Sequence, residues 1–146
     1  MKLIAHRGNY VGINRHLENN PEYIREALGN GYDVEVDVRL VNGIWYLGHD
    51  EPQYEIDITD YLDERYWLHC KNSEAFQSLF NKYNVGNFFW HQEDDYTMTS
   101  SGLIWAYPGV KRLDNSVVLF PKSAEDVINV YGVCDNDFSE IKTWIL

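Results

Sequence analysis

The apolar positions of this chain fall into short runs between polar turns, and two periods alternate along it. "KLIA" reads as a short buried strand. In "NNPEYIREALGNG" the apolar residues take helical spacing, with Asn20 suited to the N-cap, Pro21 to the first helical position and Gly29 to Gly31 to the exit. "DVEVDVRL" alternates with period two, so Val34, Val36 and Val38 share one face and Asp33, Glu35, Asp37 and Arg39 the other. Asn42-Gly43 suits a type I′ hairpin returning through "IWYLG". Beyond it, "YWLHC" predicts a strand and "SEAFQSLFNKY" a helix capped by Ser73. "NFFW", "GLIWAY" and "SVVLF" predict three more strands, the first two joined by a polar connection. "SAEDVINVYG" predicts a helix with Ser123 and Asp126 at capping-box spacing, "GVCD" a last strand, and "SEIKTWI" a closing helix.

Strands alternating with helices imply an α/β fold with a mostly parallel sheet. With 146 residues, the chain is expected to form a single domain over 1–146. Parallel sheets of this kind carry their chemistry at the carboxyl ends of the strands. His6, Glu35, Asp37, His69 and His91 all fall at or near such ends.

A net charge of −11 excludes nucleic acid and anionic membrane surfaces as natural partners, since a strongly negative field attracts neither. It also means that a phosphate ester needs local positive charge to enter. The two cysteines, Cys70 and Cys134, lie in apolar runs without metal-binding spacing and read as reduced core thiols. No apolar segment reaches membrane length and the start shows no leader pattern, so a cytoplasmic protein without membrane insertion is expected.

The candidate chemistry lies in the first half. His6-Arg7-Gly8 follows the first strand directly. Glu35 and Asp37, two apart on a strand, project from one face; two carboxylates so close need water or a cation between them, and oxygen donors suit Mg²⁺, Ca²⁺ or Mn²⁺. The competing reading makes them the solvated face of an amphipathic strand. His49-Asp50 brings a second imidazole back past the hairpin.

Taken in order, "AHRGN", "ENNPEYIREALGNGYDVEVDV" and "NGIWYLGHD" resemble the glycerophosphodiester phosphodiesterase family, within the wider group of phosphatidylinositol-specific phospholipases C. The resemblance implies a TIM-type (β/α) barrel that cleaves phosphodiesters with two histidines and one divalent cation. By position it makes His6 and His49 the acid–base pair, Glu35 and Asp37 metal ligands, and Arg7 a phosphate contact. Glu18 and Asn19 match the family's Glu-Asn-Thr, with Asn20 where Thr is usual. In "LHCKN", His69 stands where the family places a third acid, and Lys71 keeps its position. The expected metal set is therefore Glu35, Asp37 and His69, with Lys71 on the substrate phosphate. Asp135 matches an acid of the family's last strand.

A chain of 146 residues is short for a barrel that ordinarily takes ~200 or more. The shortage falls after "NFFW", which predicts a reduced or incomplete barrel of about seven strands. Aromatic-rich outer patches would then be left in the second half, for a homodimer to cover. The polar run His91 to Asp95 reads as a rim loop, with Glu93 an extra ligand on the functional reading and an incidental acid on the other, while Trp90 and Trp105 read as core. The expected activity is hydrolysis of a small phosphodiester; the alternative is a catalytically weak or inactive descendant that binds phosphorylated ligands or a protein partner.

Overall fold

A computed structural model describes residues 1–83 and 86–145. Its elements are β1 (Lys2–His6), α1 (Pro21–Gly29), β2 (Asp33–Val41), β3 (Ile44–Leu47), β4 (Tyr54–Ile56), β5 (Tyr66–Cys70), α2 (Ser73–Ser78), β6 (Asn87–Trp90), β7 (Tyr96–Met98), β8 (Ile104–Ala106), β9 (Val117–Leu119), β10 (Gly132–Asp135) and α3 (Ile141–Trp144). All ten strands belong to one sheet. Seven of them form a parallel path, β6-β5-β2-β1-β10-β9-β8, while β3, β4 and β7 are added by antiparallel pairing. The chain is thus α/β with a mostly parallel sheet. No described helix is long and apolar enough to cross a membrane.

Local chemistry explains the first half well. The Asn20 side chain accepts from the N–H groups of Glu22 and Tyr23, Pro21 opens α1, and Asn30 closes it. Positive φ at Asn42 and Gly43 gives the tight turn between β2 and β3. The predicted helix after β5 begins as expected, but Asn72 is its cap, accepting from the Ala75 N–H; Ser73 is the first helical residue. That helix widens into a π-turn over Leu79–Tyr83. "SAEDVINVYG" holds only a 3₁₀ turn at Ala124–Val127, where the Asp126 carboxylate accepts from the Ser123 N–H. The closing helix is a single turn.

The sheet separates two apolar populations. On one side Val34, Val36, Val38, Leu68 and Phe88 pack with Ile24 and Ala27 of α1 and Ala75 of α2. On the other, Ile4, Trp67, Phe89, Trp105, Val117 and Cys134 form a smaller cluster drawn from six different strands. Phe89 of β6 stacks on Trp105 of β8 with centroids 4.5 Å apart, so side chains join the two ends of the parallel path. Phe88, Phe89 and Trp105 are thereby buried in the core, while among the described residues of the second half Phe76, Phe80, Tyr96, Met98, Tyr107, Ile128 and Ile145 are the large exposed apolar ones.

Candidate active site

Strand register brings the chemical groups together. His6 lies beside Glu35 across β1 and β2, and Asp37 lies beside His69 across β2 and β5. The acidic face of β2 is the inner one: Asp33, Glu35 and Asp37 are all buried, and Asp37 is fully so. The reading of these acids as a solvated face is therefore wrong. A valine face covered by helices forces the alternate residues inward, toward the second cluster.

Glu35 Oε1 and Asp37 Oδ1 each lie 3.4 Å from His69 Nδ1. His69 stacks on Phe89, and its Nε2–H donates to the carbonyl of His91 at 2.8 Å. A carbonyl accepts only, so Nε2 carries the proton and a neutral ring turns its Nδ1 lone pair toward two carboxylates. Three electron-rich atoms face one another, and Asp37 Oδ1 is buried with no hydrogen-bond partner. Such an arrangement is stable only with positive charge at its centre, supplied by a proton on Nδ1 or by a cation. For Glu35, burial works to raise the pKa, but the His69 hydrogen bond and the charges of His6, His69 and Arg7 prevail and lower it to about 2.

Arg7 sits behind this cluster in left-handed backbone geometry at φ 55°. Its Nη1 donates to Glu18 Oε2 at 3.1 Å, and its Nε is 3.1 Å from Asp37 Oδ2 without hydrogen-bond alignment. Burial tends to lower its pKa, but Asp37, Glu35 and Glu18 outweigh that and raise it. Asn19, also buried at positive φ, clamps Asp37 at two points: Nδ2 donates to Oδ2 and Oδ1 accepts from the Asp37 N–H, both at 2.9 Å. Glu18 and Asn19 thus act from outside the cleft, fixing Arg7 and Asp37.

The two remaining imidazoles share one arrangement. His6 Nδ1 lies 3.0 Å from Asn136 Oδ1, and His49 Nδ1 lies 2.7 Å from Asp50 Oδ1. Each oxygen accepts, leaving Nε2 of each ring turned from its partner. His49 is carried on the hairpin return, where Gly48 N–H donates to the Asp37 carbonyl and Arg39 holds the Gly48 and His49 carbonyls. The Asp50 carboxyl is held below its usual range by the His49 hydrogen bond.

His6, Arg7, Glu35, His49, His69 and Lys71 all line one cleft of about 670 Å³. Lys71 makes no ion pair among the described residues. The cleft is also lined by Trp105, Tyr107, Pro108, Leu119 and Phe120 and by His91, Gln92 and Glu93. His91 is itself largely spent on structure, since its Nε2–H donates to the Asp94 carbonyl. Asp135 lies outside the cleft lining and accepts from the N–H groups of Asn136 and Asp137. Asn9 and Asn136 were not singled out by the sequence; an asparagine next to a turn carries no signal of what it will hold from more than a hundred residues away.

No family model, curated protein or solved structure matches the chain. The chemistry of the cleft must be read from its own groups.

Proposed function

We propose that this chain is a metal-dependent phosphodiester hydrolase of the glycerophosphodiester phosphodiesterase type, built on a shortened (β/α) barrel. The observation that carries the reading is the Glu35–Asp37–His69 cluster, whose Glu35 and His69 line one cleft with two further imidazoles. Seven parallel strands, an inner cluster fed by six strands and the Phe89–Trp105 bridge support the barrel part of the reading.

The donor set fits a divalent cation. It offers two carboxylate oxygens and one imidazole nitrogen, and the unpartnered Asp37 Oδ1 is the buried acceptor that a cation would satisfy. Glu35, Asp37 and His69 would hold Mg²⁺, Ca²⁺ or Mn²⁺, which when bound neutralises charge on phosphoryl oxygens. Lys71, without an ion pair among the described residues, supplies a cation to the cleft and binds a non-bridging oxygen. Arg7, tied to Glu18 and Asp37, adds positive potential and holds the carboxylate in place rather than reaching out. His6 offers its Nε2 lone pair to the attacking hydroxyl or water and takes up that proton. His49, partnered by the Asp50 carboxylate, donates a proton from Nε2 to the departing alcohol.

A non-catalytic phosphate binder is the competing reading, favoured by His69 standing in place of an acid. The deciding experiment is hydrolysis of bis(p-nitrophenyl) phosphate and glycerophosphocholine, apo and with Mg²⁺, Mn²⁺ or Ca²⁺, alongside His6→Ala and Glu35→Ala. Metal-dependent turnover lost in both variants supports the hydrolase. Metal binding without turnover of any diester leaves the binder, and absence of both removes the metal site as well.

A further inference from the structure

We infer that Asn136 is a positioning residue that fixes the tautomer of His6, and that Asn9 fixes Asn136. The role assigned to His6 rests on the phosphodiesterase reading; the tautomer itself does not.

A neutral imidazole carries its proton on either nitrogen, and the partner of one nitrogen decides what the other offers. His6 Nδ1 is 3.0 Å from Asn136 Oδ1. Rotated by half a turn, the Asn136 amide would present an NH₂ to His6 and reverse the tautomer. Asn9 prevents this, since its Nδ2 donates to the same Asn136 Oδ1 at 2.9 Å and so demands an oxygen there.

Asn9 is itself locked. It is fully buried; its Nδ2 also donates to Glu18 Oε1 at 3.0 Å, while its Oδ1 accepts from the Asn14 N–H and the Tyr23 hydroxyl. The Asn136 backbone is tied at both ends, its N–H to Asp135 Oδ1 and its carbonyl to the Gly12 N–H. The Phe120 ring meets His6 edge to face at 4.9 Å and limits its rotation. Glu35 Oε2, an alternative acceptor for a proton on Nε2, is at 3.9 Å too far for a hydrogen bond.

His6 is therefore held as the Nδ1–H tautomer with the Nε2 lone pair open to the cleft. The contacts run on through Glu18 to Arg7 and Asp37, so one partly buried network orients the base and braces the Asp37 carboxylate.

The test is the long-range ¹H–¹⁵N spectrum of the whole chain labelled at histidine, recorded without metal at a pH where imidazole is neutral, with His6 assigned from His6→Ala. The wild-type spectrum is expected to show His6 protonated at Nδ1. Asn136→Leu, which removes the acceptor, is expected to move His6 to Nε2–H and lower kcat about 10²-fold with KM little changed, the loss expected when a general base is taken away. Asn136→Asp, which keeps an acceptor oxygen, is expected to retain the Nδ1–H signal. An Nε2–H signal in the wild type overturns the inference whether or not Asn136→Leu folds, as does an unchanged tautomer in a folded Asn136→Leu. If the tautomer pattern appears but the wild type hydrolyses no diester with any metal, the positioning stands and the phosphodiesterase reading falls.

Discussion

Asn19 grips Asp37 at both its backbone and its carboxylate, with two hydrogen bonds of 2.9 Å across buried space. One carboxylate oxygen is thereby used up and the other, Oδ1, is left facing His69 Nδ1. Asn19→Ala leaves the buried Asp37 N–H without a partner and frees the carboxylate to turn. The expected cost is about 1–3 kcal/mol of stability, because each polar group stranded in the interior forfeits its solvation. Metal affinity is expected to fall about 10–100-fold, the usual result of losing an orienting partner. Chemical denaturation and calorimetric Mn²⁺ titration measure the two effects separately.

Gly48 sets the path of the His49 loop. At φ 152° it has a conformation that side chains rarely adopt, and a Cβ there would lie 2.0 Å from the Glu51 carbonyl oxygen. Gly48→Ala must move the backbone that carries His49 and Asp50. A loss above about 1 kcal/mol is expected, with turnover falling more than stability explains. Gly43→Ala is the control: it shares a positive φ but meets open space. Thermal unfolding and diester turnover of both variants give the comparison.

The strong periodic segments were legible in the sequence, and the reason is local. Asn20, Pro21, Asn42 and Gly43 each fix their own stretch of backbone, so α1 and the β2–β3 hairpin lie where the pattern puts them. The three-residue strands Tyr54–Ile56 and Tyr96–Met98 were not legible, because they exist only through antiparallel pairing with β3 and β8. The alternation of β2 named its two faces but not that both are buried: α1 and α2 cover the valines, and the acids turn toward the second cluster. Glu35, Asp37, His69, His6 and His49 were visible as residue types in order along the chain. Their orienting partners were visible only where they were neighbours, as Asp50 is to His49. Asn136 comes to His6 from just beyond β10, which no local pattern announces.

The acid and base roles proposed for His49 and His6 separate by leaving group. A p-nitrophenolate departs without needing a proton, whereas an alkoxide does not. His49→Ala is expected to lose about 10²–10⁴-fold in kcat on an alkyl diester such as glycerophosphocholine, and less than about tenfold on bis(p-nitrophenyl) phosphate. His6→Ala should lose comparably on both, because a base serves the nucleophile whatever departs. The opposite pattern would exchange the two roles.

Both thiols are expected to be silent in the native protein. Burial pushes the Cys70 thiol up to about 12 and Cys134 well above its usual value, so the reactive thiolate is scarce at neutral pH. A disulfide reagent should label neither cysteine in native buffer and both in denaturant. Rapid native labelling would mean that the sheet opens far more readily than its packing implies.

Glu35 gives the acid limb of stability a definite sign. Its carboxyl falls from the ordinary 4.5 to about 2 in the fold, so between those values the unfolded chain binds more protons than the native one. Stability therefore rises with pH across that window. The contribution is complete above the unfolded value and is lost as pH drops toward the folded one. Glu35→Gln removes the titrating group, and its urea midpoint should depend less on pH than the wild type's when about pH 5.5 and about pH 3 are compared. Bound cation would strengthen the effect, since protons and metal compete for the same oxygens, so the comparison is made in chelator and repeated with Mn²⁺. A wild-type midpoint that falls no faster than that of Glu35→Gln would mean that Glu35 is not held ionised by His69, His6 and Arg7.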